Sequence, residues 1–256
     1  MPKLSSLSIF LPCFNDGESL TRIIPEVIHL TPSLARSFEV VVIDNGSGEE
    51  TKKILASLSS RLPEVKVFTY EEKLGYGGAL QRGFEACQMD YVFYTDGDGQ
   101  YDVKELNSLV EAMADEIDVV NGYKLNRADA FYRRWIGKIY HHFVNLMFNL
   151  HLRDVDCDFR LFRRKIFEKV KIQCYSGAVC VELMRKIRLA RCAIVEVPVR
   201  HYPRQKGRSQ FFRPRTLAKA LVDLVGLWIW LVLLRSGNGY QTHTYRQRPS
   251  HQKSRL

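Results

Sequence analysis

The sequence lacks the paired cysteines that mark a zinc site or a disulfide scaffold. None of its six cysteines forms a C-x-x-C pair, and none has a histidine at metal-ligand spacing. They are scattered at positions 13, 87, 157, 174, 180 and 192. This usage argues against a structural zinc site and favours reduced thiols in a cytosolic compartment.

Long apolar runs are also missing. The uninterrupted apolar stretch at residues 224–234 is about half of the roughly 20 residues that a membrane-spanning helix needs. Near the N-terminus, Lys3 precedes only a short apolar run that ends at Pro12. Because this run is too short for a signal peptide, we expect no cleaved leader.

Acidic residues are absent from two late segments. Residues 200–215 contain six basic residues and no acid, and residues 235–256 are basic and free of acids as well. The whole chain of 256 residues has a net charge of +10, with 46% hydrophobic residues, which is typical of a globular protein. Such a charge favours binding to nucleic acid, to anionic lipid or to anionic small molecules, and composition leaves all three open.

Strand and helix patterns alternate along the first half of the chain. The strand patterns lie at residues 7–11, 39–43, 65–70 and 91–95. The helix patterns lie at about residues 18–30, 49–62 and 79–87. Further strands are predicted at 159–162 and 194–199, and an amphipathic helix at about 131–150. The alternation predicts an α/β fold with a doubly wound, mostly parallel sheet.

Polar loops follow three of these strands, where the carboxyl ends of a parallel sheet face one crevice. In the third loop, Asp96 and Asp98 flank Gly97, and Gln100 follows. Carboxylate and amide oxygens suit Mg²⁺ or Mn²⁺, which commonly takes its other ligands from a diphosphate. A tight turn is the alternative interpretation, but the two neighbouring polar strand ends favour a metal–diphosphate site.

Two other loops have a similar double interpretation. Asp44 and Asn45 follow the second strand, where they either bind a nucleobase or ribose or begin the next helix. Residues 74–78 (Leu-Gly-Tyr-Gly-Gly) allow close approach of a ligand or form a tight turn. They lack the spacing of both G-x-G-x-x-G and the P-loop, so a dinucleotide or ATP site has no support.

The ordered set of these motifs resembles family 2 glycosyltransferases, and more narrowly the polyprenyl-phosphate (dolichyl-phosphate) mannose and glucose synthases. The motifs are Leu-Pro-Cys-Phe-Asn-Asp (11–16), Val-Ile-Asp-Asn-Gly-Ser (42–47), Leu-Gly-Tyr-Gly-Gly-Ala-Leu (74–80) and Asp-Gly-Asp-Gly-Gln (96–100). Asp154 with Phe-Arg-Leu-Phe (159–162), and later Arg204-x-x-Gly207-x-Ser209, continue the match. The resemblance covers about residues 5–235.

The resemblance implies a glycosyltransferase A-type fold that binds a nucleotide sugar together with Mg²⁺ or Mn²⁺. The metal ligands would be Asp96, Asp98 and Gln100. The nucleotide-sugar site would include Pro12, Phe14, Asn15, Asp44, Asn45, Gly75, Asp96, Gly97 and Lys124. The acceptor phosphate would meet Arg133, Arg160, Arg204 and Ser209. Catalysis would depend on Asp96, Asp98, Arg133 and Arg204, with Arg204 in a mobile basic loop. Two departures from the family pattern are Asn45, in place of a second acid, and Gln210, in place of a lysine.

The chemistry agrees with this resemblance. Transfer of a sugar from a nucleoside diphosphate requires stabilisation of the charge that develops on the leaving group, which a divalent ion and converging Arg and Lys side chains provide. A lipid phosphate is already an anionic nucleophile, so no strong general base is required. A neutral hydroxyl acceptor would need one, and Asp154, Asp156 and Asp158 are the candidates. His201 is a further candidate for a phosphate contact.

We therefore predict an inverting glycosyltransferase that makes a β-linked polyprenyl-phosphate sugar on the cytosolic face of a membrane. Its parts would be a catalytic domain (1–216), an apolar membrane-interface helix (217–235) and a basic disordered tail (236–256). Trp228 and Trp230 suit a membrane boundary, although a buried core helix is the alternative. Other open possibilities are a glycan or hydroxyl acceptor, a nucleic-acid-binding module and a homo-oligomer. Nucleic acid is the least favoured partner.

Overall fold

The computed structural model describes residues 4–125, 131–203 and 214–234. Its seven strands are β1 (Leu4–Cys13), β2 (Ala35–Asn45), β3 (Val65–Tyr70), β4 (Tyr91–Thr95), β5 (Val119–Lys124), β6 (Phe159–Arg163) and β7 (Ile194–Val199). Its α-helices are α1 (Gly17–Leu30), α2 (Glu49–Arg61), α3 (Gly75–Ala86), α4 (Leu106–Ala112), α5 (Phe131–Phe148), α6 (Ile166–Lys169), α7 (Val179–Leu189) and α8 (Pro214–Trp228). Short 3-10 turns lie at Thr31–Ser33 and Val103–Glu105, and a π-helical turn (Ile229–Leu233) follows α8.

One mixed sheet joins all seven strands in the order β3-β2-β1-β4-β6-β5-β7. Strand β6 runs antiparallel to both of its neighbours, β4 and β5, and the other pairs are parallel. The predicted α/β fold with a mostly parallel sheet is therefore confirmed. Strand β5 and helices α4, α6 and α7 are additional elements that the sequence patterns did not predict.

The central strands are apolar on both faces, as a covered parallel sheet requires. In β1, Phe10 packs into one core cluster while its neighbours Ile9 and Leu11 pack into the other. All three side chains are fully buried. The near-continuous apolar runs in the sequence thus reflect two hydrophobic cores, one on each side of the sheet.

The sheet brings the polar loops to one edge. Strands β1 and β2 end together, with Cys13 paired to Asp44. Because β6 is antiparallel to β4, its first residue meets the last residue of β4, and Thr95 pairs with Phe159. The residues just outside that pair are Asp96 and Asp158. Two carboxylates that are 62 positions apart in the chain therefore lie side by side at this edge.

Helix α8 and the π-helical turn after it pack against the domain. Leu224, Leu227 and Leu231 are buried in the core cluster that also contains Phe148. The indole Nε1 of Trp228 donates a hydrogen bond to the Met147 carbonyl oxygen of α5 at 3.0 Å. Within the described ranges, no helix is both long enough and apolar enough to cross a bilayer.

Candidate active site

The Asp96–Asp98 turn is shaped by its two glycines. A Cβ at Gly97 would lie 2.9 Å from the Pro12 carbonyl oxygen, so only glycine fits beside the end of β1. Gly99 has a φ of +77°, which is the left-handed region that favours glycine. These constraints turn the chain sharply after β4 and place both carboxylates at the edge of the sheet.

Asp96 lies in an environment that disfavours its charge. Burial raises the pKa of this carboxyl well above its ordinary value, and the neighbouring Asp158 and Asp98 raise it further. A hydrogen bond from Tyr76 and the charge of Lys124 oppose this effect without cancelling it. Grouped carboxylates of this kind gain most from a cation that binds between them and offsets their mutual repulsion.

This donor set fits a divalent cation that shares its coordination with a diphosphate. In the described part of the chain, no group of three or more His, Cys, Asp or Glu side chains is arranged to hold a metal ion by itself. Asp96 and Asp98 would therefore contribute two carboxylates, and a hard cation such as Mg²⁺ or Mn²⁺ would take its other oxygens from the diphosphate and water. The site thus fits a metal that is bound together with its substrate.

Gln100 connects the acidic turn to the start of the basic segment. Its backbone N–H donates to Asp98 Oδ1 at 3.1 Å. Its side-chain Nε2 donates to the Tyr202 carbonyl oxygen at 3.1 Å, and its own carbonyl oxygen accepts from Tyr202 N–H at 2.8 Å. Beside this contact, the His201 ring meets Tyr101 edge-on at 5.2 Å. The amide oxygen Oε1 of Gln100 is the atom that remains suited to a cation.

The loops after β1 and β2 carry several of the residues that were predicted to bind the nucleotide sugar. Lys73 Nζ lies 3.9 Å from the centre of the Phe14 ring, in a cation–π contact. Asp44 is fully buried, and its Oδ1 accepts a hydrogen bond from Ser47 N–H at 3.0 Å. Its second oxygen, Oδ2, is buried without a hydrogen-bond partner among the described residues. A buried acceptor of this kind matches a donor on a bound base or ribose.

Two asparagines that were predicted to bind the nucleotide sugar hold loops together in the structure. Asn15 Oδ1 accepts from Gly48 N–H at 2.8 Å, which caps the start of α2. Asn45 Oδ1 accepts from Leu74 N–H at 2.7 Å, and its Nδ2 donates to the Gly75 carbonyl oxygen at 3.3 Å. An aspartate at position 45 has no N–H to donate, so the departure from a second acid has a structural reason.

The glycine-rich segment begins helix α3 earlier than the predicted start at residue 79. Gly75 has a φ of +76°, and a Cβ there would lie 2.4 Å from the Tyr175 carbonyl oxygen. Gly77 donates its N–H to the same oxygen at 3.1 Å. The glycines therefore serve close packing against residues 174–175, and they place the Tyr76 side chain at the acidic cluster.

Lys124 reaches the same cluster from the end of β5. Its Nζ donates to the Asp156 carbonyl oxygen at 2.6 Å, and its charge lowers the pKa of Asp96. The Asp154 carboxylate accepts from the backbone N–H groups of Lys124 and Asp156, at 3.4 and 3.1 Å. Asp154 is buried, so it stabilises this turn and is a poor candidate for a general base. Asp158, in contrast, borders Asp96.

The prediction that Arg160 contacts the acceptor phosphate is wrong. Arg160 lies in β6 between β4 and β5, and its side chain is fully buried. Its Nε donates to Asn121 Oδ1 at 2.8 Å, its Nη2 bonds the Val155 carbonyl oxygen, and its Nη1 lies 3.9 Å from Asp158 Oδ1. The Arg160 guanidinium thus bonds Asn121 of β5 and the loop before β6 and lies near Asp158, and its full burial leaves no surface for an acceptor phosphate.

The side chains of three further predicted residues lie outside the described part of the structure. Arg204 and Ser209 fall between the described ranges, and only the backbone of Arg133 is described, in the first turn of α5. Their roles stay predictions.

Sequence reasoning missed the tyrosines beneath the acidic turn. Tyr76 and Tyr94 hydroxyls are hydrogen-bonded to each other, and Tyr76 also donates to Asp96 Oδ1 at 2.8 Å. Burial and the carboxylates Asp158 and Asp96 raise the pKa of both phenols well above 10, so both remain protonated donors. The sequence did contain a signal for Tyr94. It lies two residues before Asp96, and side chains two residues apart along a strand point to the same face of the sheet.

Comparison with known proteins defines the class of this protein. Residues 8–171 match the sequence family described as Glycosyl transferase family 2. The chain therefore belongs to glycosyltransferase family 2, and the resemblance inferred from its motifs is confirmed.

Two relatives are undecaprenyl-phosphate 4-deoxy-4-formamido-L-arabinose transferases. The chain is 26% identical over 221 residues to the protein of Edwardsiella ictaluri and 29% identical over 221 residues to that of Pseudomonas syringae pv. syringae. Both alignments cover 86% of this chain, but 66% and 64% of the respective relatives. The chain thus spans slightly less than two thirds of the length of these relatives.

Solved structures share the fold. Glucosyl-3-phosphoglycerate synthase from Mycobacterium tuberculosis, in complex with Mn²⁺, UDP and glucosyl-3-phosphoglycerate, matches with a TM-score of 0.65 and 18% identity, over 91% of this chain and 80% of that one. A mannosyltransferase from Pyrobaculum calidifontis, in complex with GDP-Man and Mn²⁺, matches with a TM-score of 0.59 and 14% identity, over 86% of this chain and 64% of that one. At these identities the likeness shows the fold, and the predicted glycosyltransferase A-type fold is confirmed.

Proposed function

We propose that this protein transfers a hexose or related sugar from a nucleoside-diphosphate sugar to a polyprenyl phosphate, with inversion and with a divalent cation. The single observation that carries this proposal is the pair of carboxylates Asp96 and Asp98 at the sheet edge, next to Asp158 at the start of β6. The names of the two undecaprenyl-phosphate relatives support the acceptor class. Mn²⁺ in complexes of proteins that share the fold supports the use of a divalent cation.

The residues of the site divide the work between binding and charge compensation. When bound at Asp96 and Asp98, Mg²⁺ or Mn²⁺ would offset the charge of the diphosphate as it leaves. Asp44, whose buried Oδ2 has no hydrogen-bond partner in the part of the chain that the structure describes, and Phe14 would hold the nucleoside. Lys124 would add positive charge beside the leaving diphosphate. Arg133 and Arg204, whose side chains lie outside the described part of the structure, are predicted to do the same. An acceptor phosphate attacks as an anion, so the proposal needs no general base.

A transfer assay tests the proposal. We expect sugar transfer from one nucleotide sugar, among UDP- and GDP-linked donors, onto undecaprenyl or dolichyl phosphate in detergent. We expect no transfer onto the corresponding prenyl alcohol, because the alcohol would have to lose a proton to a base. Activity should disappear with a chelator and return with Mn²⁺ or Mg²⁺. Transfer onto a hydroxyl acceptor but not onto a lipid phosphate would refute the proposed acceptor and would point to Asp158 as a base.

We also propose that the protein works at the cytoplasmic face of a membrane, with the outer faces of α5 and α8 against the lipid. On α5, Ile139, Phe143 and Leu146 are exposed, and Leu146 reaches 83% exposure. On α8 and its π-helical turn, the exposed apolar side chains are Leu221, Val222, Val225, Ile229 and Leu233. We call these eight residues the apolar surface. Its two parts are joined where Trp228 bonds the Met147 carbonyl oxygen.

The proposed partner of the apolar surface is an anionic bilayer. The chain that follows α8, residues 235–256, contains basic residues and no acid. Apolar side chains next to such a segment suit the boundary between acyl chains and anionic headgroups. Because Leu224, Leu227 and Leu231 face the protein core, the helix would lie on the membrane surface with its opposite face toward lipid.

Substitution of the apolar surface tests this contact. The double variant Val222→Asp and Val225→Asp should bind vesicles that contain anionic lipid at least about tenfold more weakly, since two apolar side chains are lost from the lipid and two negative charges then face the anionic headgroups. Vesicle co-sedimentation of the full chain measures the effect. Phe68→Asp, on the edge strand β3, is the matched control and should bind as the wild type does. Unchanged binding of the double variant would contradict the proposed surface. Truncation is a poorer test, because it removes core leucines as well.

A further inference from the structure

A chain of hydrogen bonds leads from the sheet interior to the acidic turn. Tyr94 is fully buried in β4, and its hydroxyl contacts the hydroxyl of Tyr76. The Tyr76 O–H is committed to Asp96 Oδ1, at 2.8 Å, so the proton between the two phenols belongs to Tyr94. Each tyrosine thus donates in the same direction, and the last acceptor is the Asp96 carboxylate.

The position of Tyr76 is determined from both sides. On its N-terminal side, Asn45 bonds the Leu74 N–H and the Gly75 carbonyl oxygen. On its C-terminal side, Gly77 N–H bonds the Tyr175 carbonyl oxygen at 3.1 Å. A phenol between two anchored backbone positions loses little further freedom when it bonds the carboxylate. Its hydroxyl is therefore a preorganised donor.

The bond from Tyr76 limits how the Asp96 carboxylate can turn. A donor on Oδ1 restricts rotation of the carboxylate about the last side-chain bond. The orientation of the other oxygen, Oδ2, is thereby restricted as well. Partners of this kind, one step outside a metal site, orient the ligand and raise its affinity for the cation. The hydrogen bond also stabilises the negative charge of Asp96, which the neighbouring charges of Asp98 and Asp158 disfavour.

We infer that Tyr76 is a positioning residue that orients Asp96 toward the divalent cation of the nucleoside-diphosphate site. The inference rests on the proposed function, because it assumes that Asp96 binds such a cation. It assigns to the tyrosine of the glycine-rich segment a role that its position in the sequence does not indicate. In this scheme the Tyr76 hydroxyl acts through the Asp96 carboxylate, so its effect should fall on the cation.

Cation binding by Tyr76→Phe tests the inference without an activity assay. The full chain is titrated with Mn²⁺ in the presence of UDP or GDP, whichever the wild type binds, and free Mn²⁺ is read by electron paramagnetic resonance. We expect about a tenfold increase in the Mn²⁺ dissociation constant, the lower end of the effect of losing such a partner. Nucleotide affinity without metal should stay within error of the wild type, whereas the melting temperature should fall slightly, because the buried Tyr94 hydroxyl loses its acceptor.

Two matched variants separate positioning from packing. Tyr94→Phe removes a buried hydroxyl but leaves the bond from Tyr76 to Asp96, so its Mn²⁺ affinity should change less than that of Tyr76→Phe. Tyr70→Phe, on β3, should change nothing. Equal Mn²⁺ affinity in wild type and Tyr76→Phe would overturn the inference and leave the proposed function standing. If Tyr76→Phe lost both stability and metal-free nucleotide binding, the inference would be overturned as well. A wild type that binds no Mn²⁺ with either nucleotide would overturn both.

Discussion

Replacing Asp98 by asparagine is expected to reduce sugar transfer by about a thousandfold, the scale of losing one strong electrostatic contact in a transition state. Asparagine preserves the size of the side chain and can still accept the hydrogen bond from Gln100 N–H, which is 3.1 Å from Asp98 Oδ1. It removes only the negative charge that would hold the cation on the diphosphate. The fold should therefore survive while cation binding fails.

The measurement combines turnover with Mn²⁺-dependent nucleotide binding. Asp102→Asn is the matched control, because Asp102 lies four positions further on and caps a 3-10 turn through Lys104 N–H. Asparagine caps as well as aspartate does, so this variant should keep near-normal activity. If Asp98→Asn retained wild-type turnover, Asp98 would not be a metal ligand.

Replacing Gly77 by alanine should destabilise the protein strongly and weaken the site at the same time. The new Cβ would lie 1.9 Å from the Cys174 carbonyl oxygen, which is a backbone atom that no rotamer change can move. Overpacking of this kind costs about 3 kcal/mol of unfolding free energy. For a domain of this size that corresponds to a melting temperature lower by about 6–12 °C. The displaced segment also carries Tyr76, so Mn²⁺ affinity should fall.

Gly226→Ala is the same chemical change, but it is not expected to destabilise the protein. Gly226 lies within α8, and a Cβ there would meet nothing within 4 Å. Alanine favours the helix by about 0.5–1 kcal/mol, so thermal unfolding should occur at the same or a slightly higher temperature. If Gly77→Ala melted like the wild type, the close contact of α3 with residues 174–175 would be refuted.

Local patterns in the sequence predicted much of the fold, because the formation of most strands and helices depends on residues that are close together in the chain. Strand β1 reads as a continuous apolar run because both of its faces are covered, and the polar turn at Asp96–Asp98 marks where burial ends. The two cores on opposite faces of the sheet explain why these signals were reliable. Strand β5 was missed because Val119–Lys124 combines two valines with Asn, Gly, Tyr and Lys, and its burial depends on its neighbours β6 and β7.

Side-chain roles were harder to predict because they depend on partners that are distant in sequence. Asn45 lies in a motif typical of nucleotide binding, yet both ends of its amide bond the glycine-rich segment 29 and 30 positions later. Arg160 lies in a motif that resembles an acceptor site, yet β4 and β5 enclose it. In both cases the residue type was compatible with a ligand, but tertiary contacts hold the Asn45 amide at both ends and enclose the Arg160 side chain inside the sheet.

The class of fold, the family and the pair of carboxylates at the end of β4 follow from the sequence alone, since they depend on periodicity and on motifs within a few residues. That Asp158 joins this pair follows from strand pairing, because the antiparallel insertion of β6 sets Phe159 opposite Thr95. The hydrogen bond from Tyr76 to Asp96, and the buried and exposed apolar faces of α8, likewise emerge from the folded chain. These outcomes require strand pairing and packing between distant segments, which no local pattern encodes.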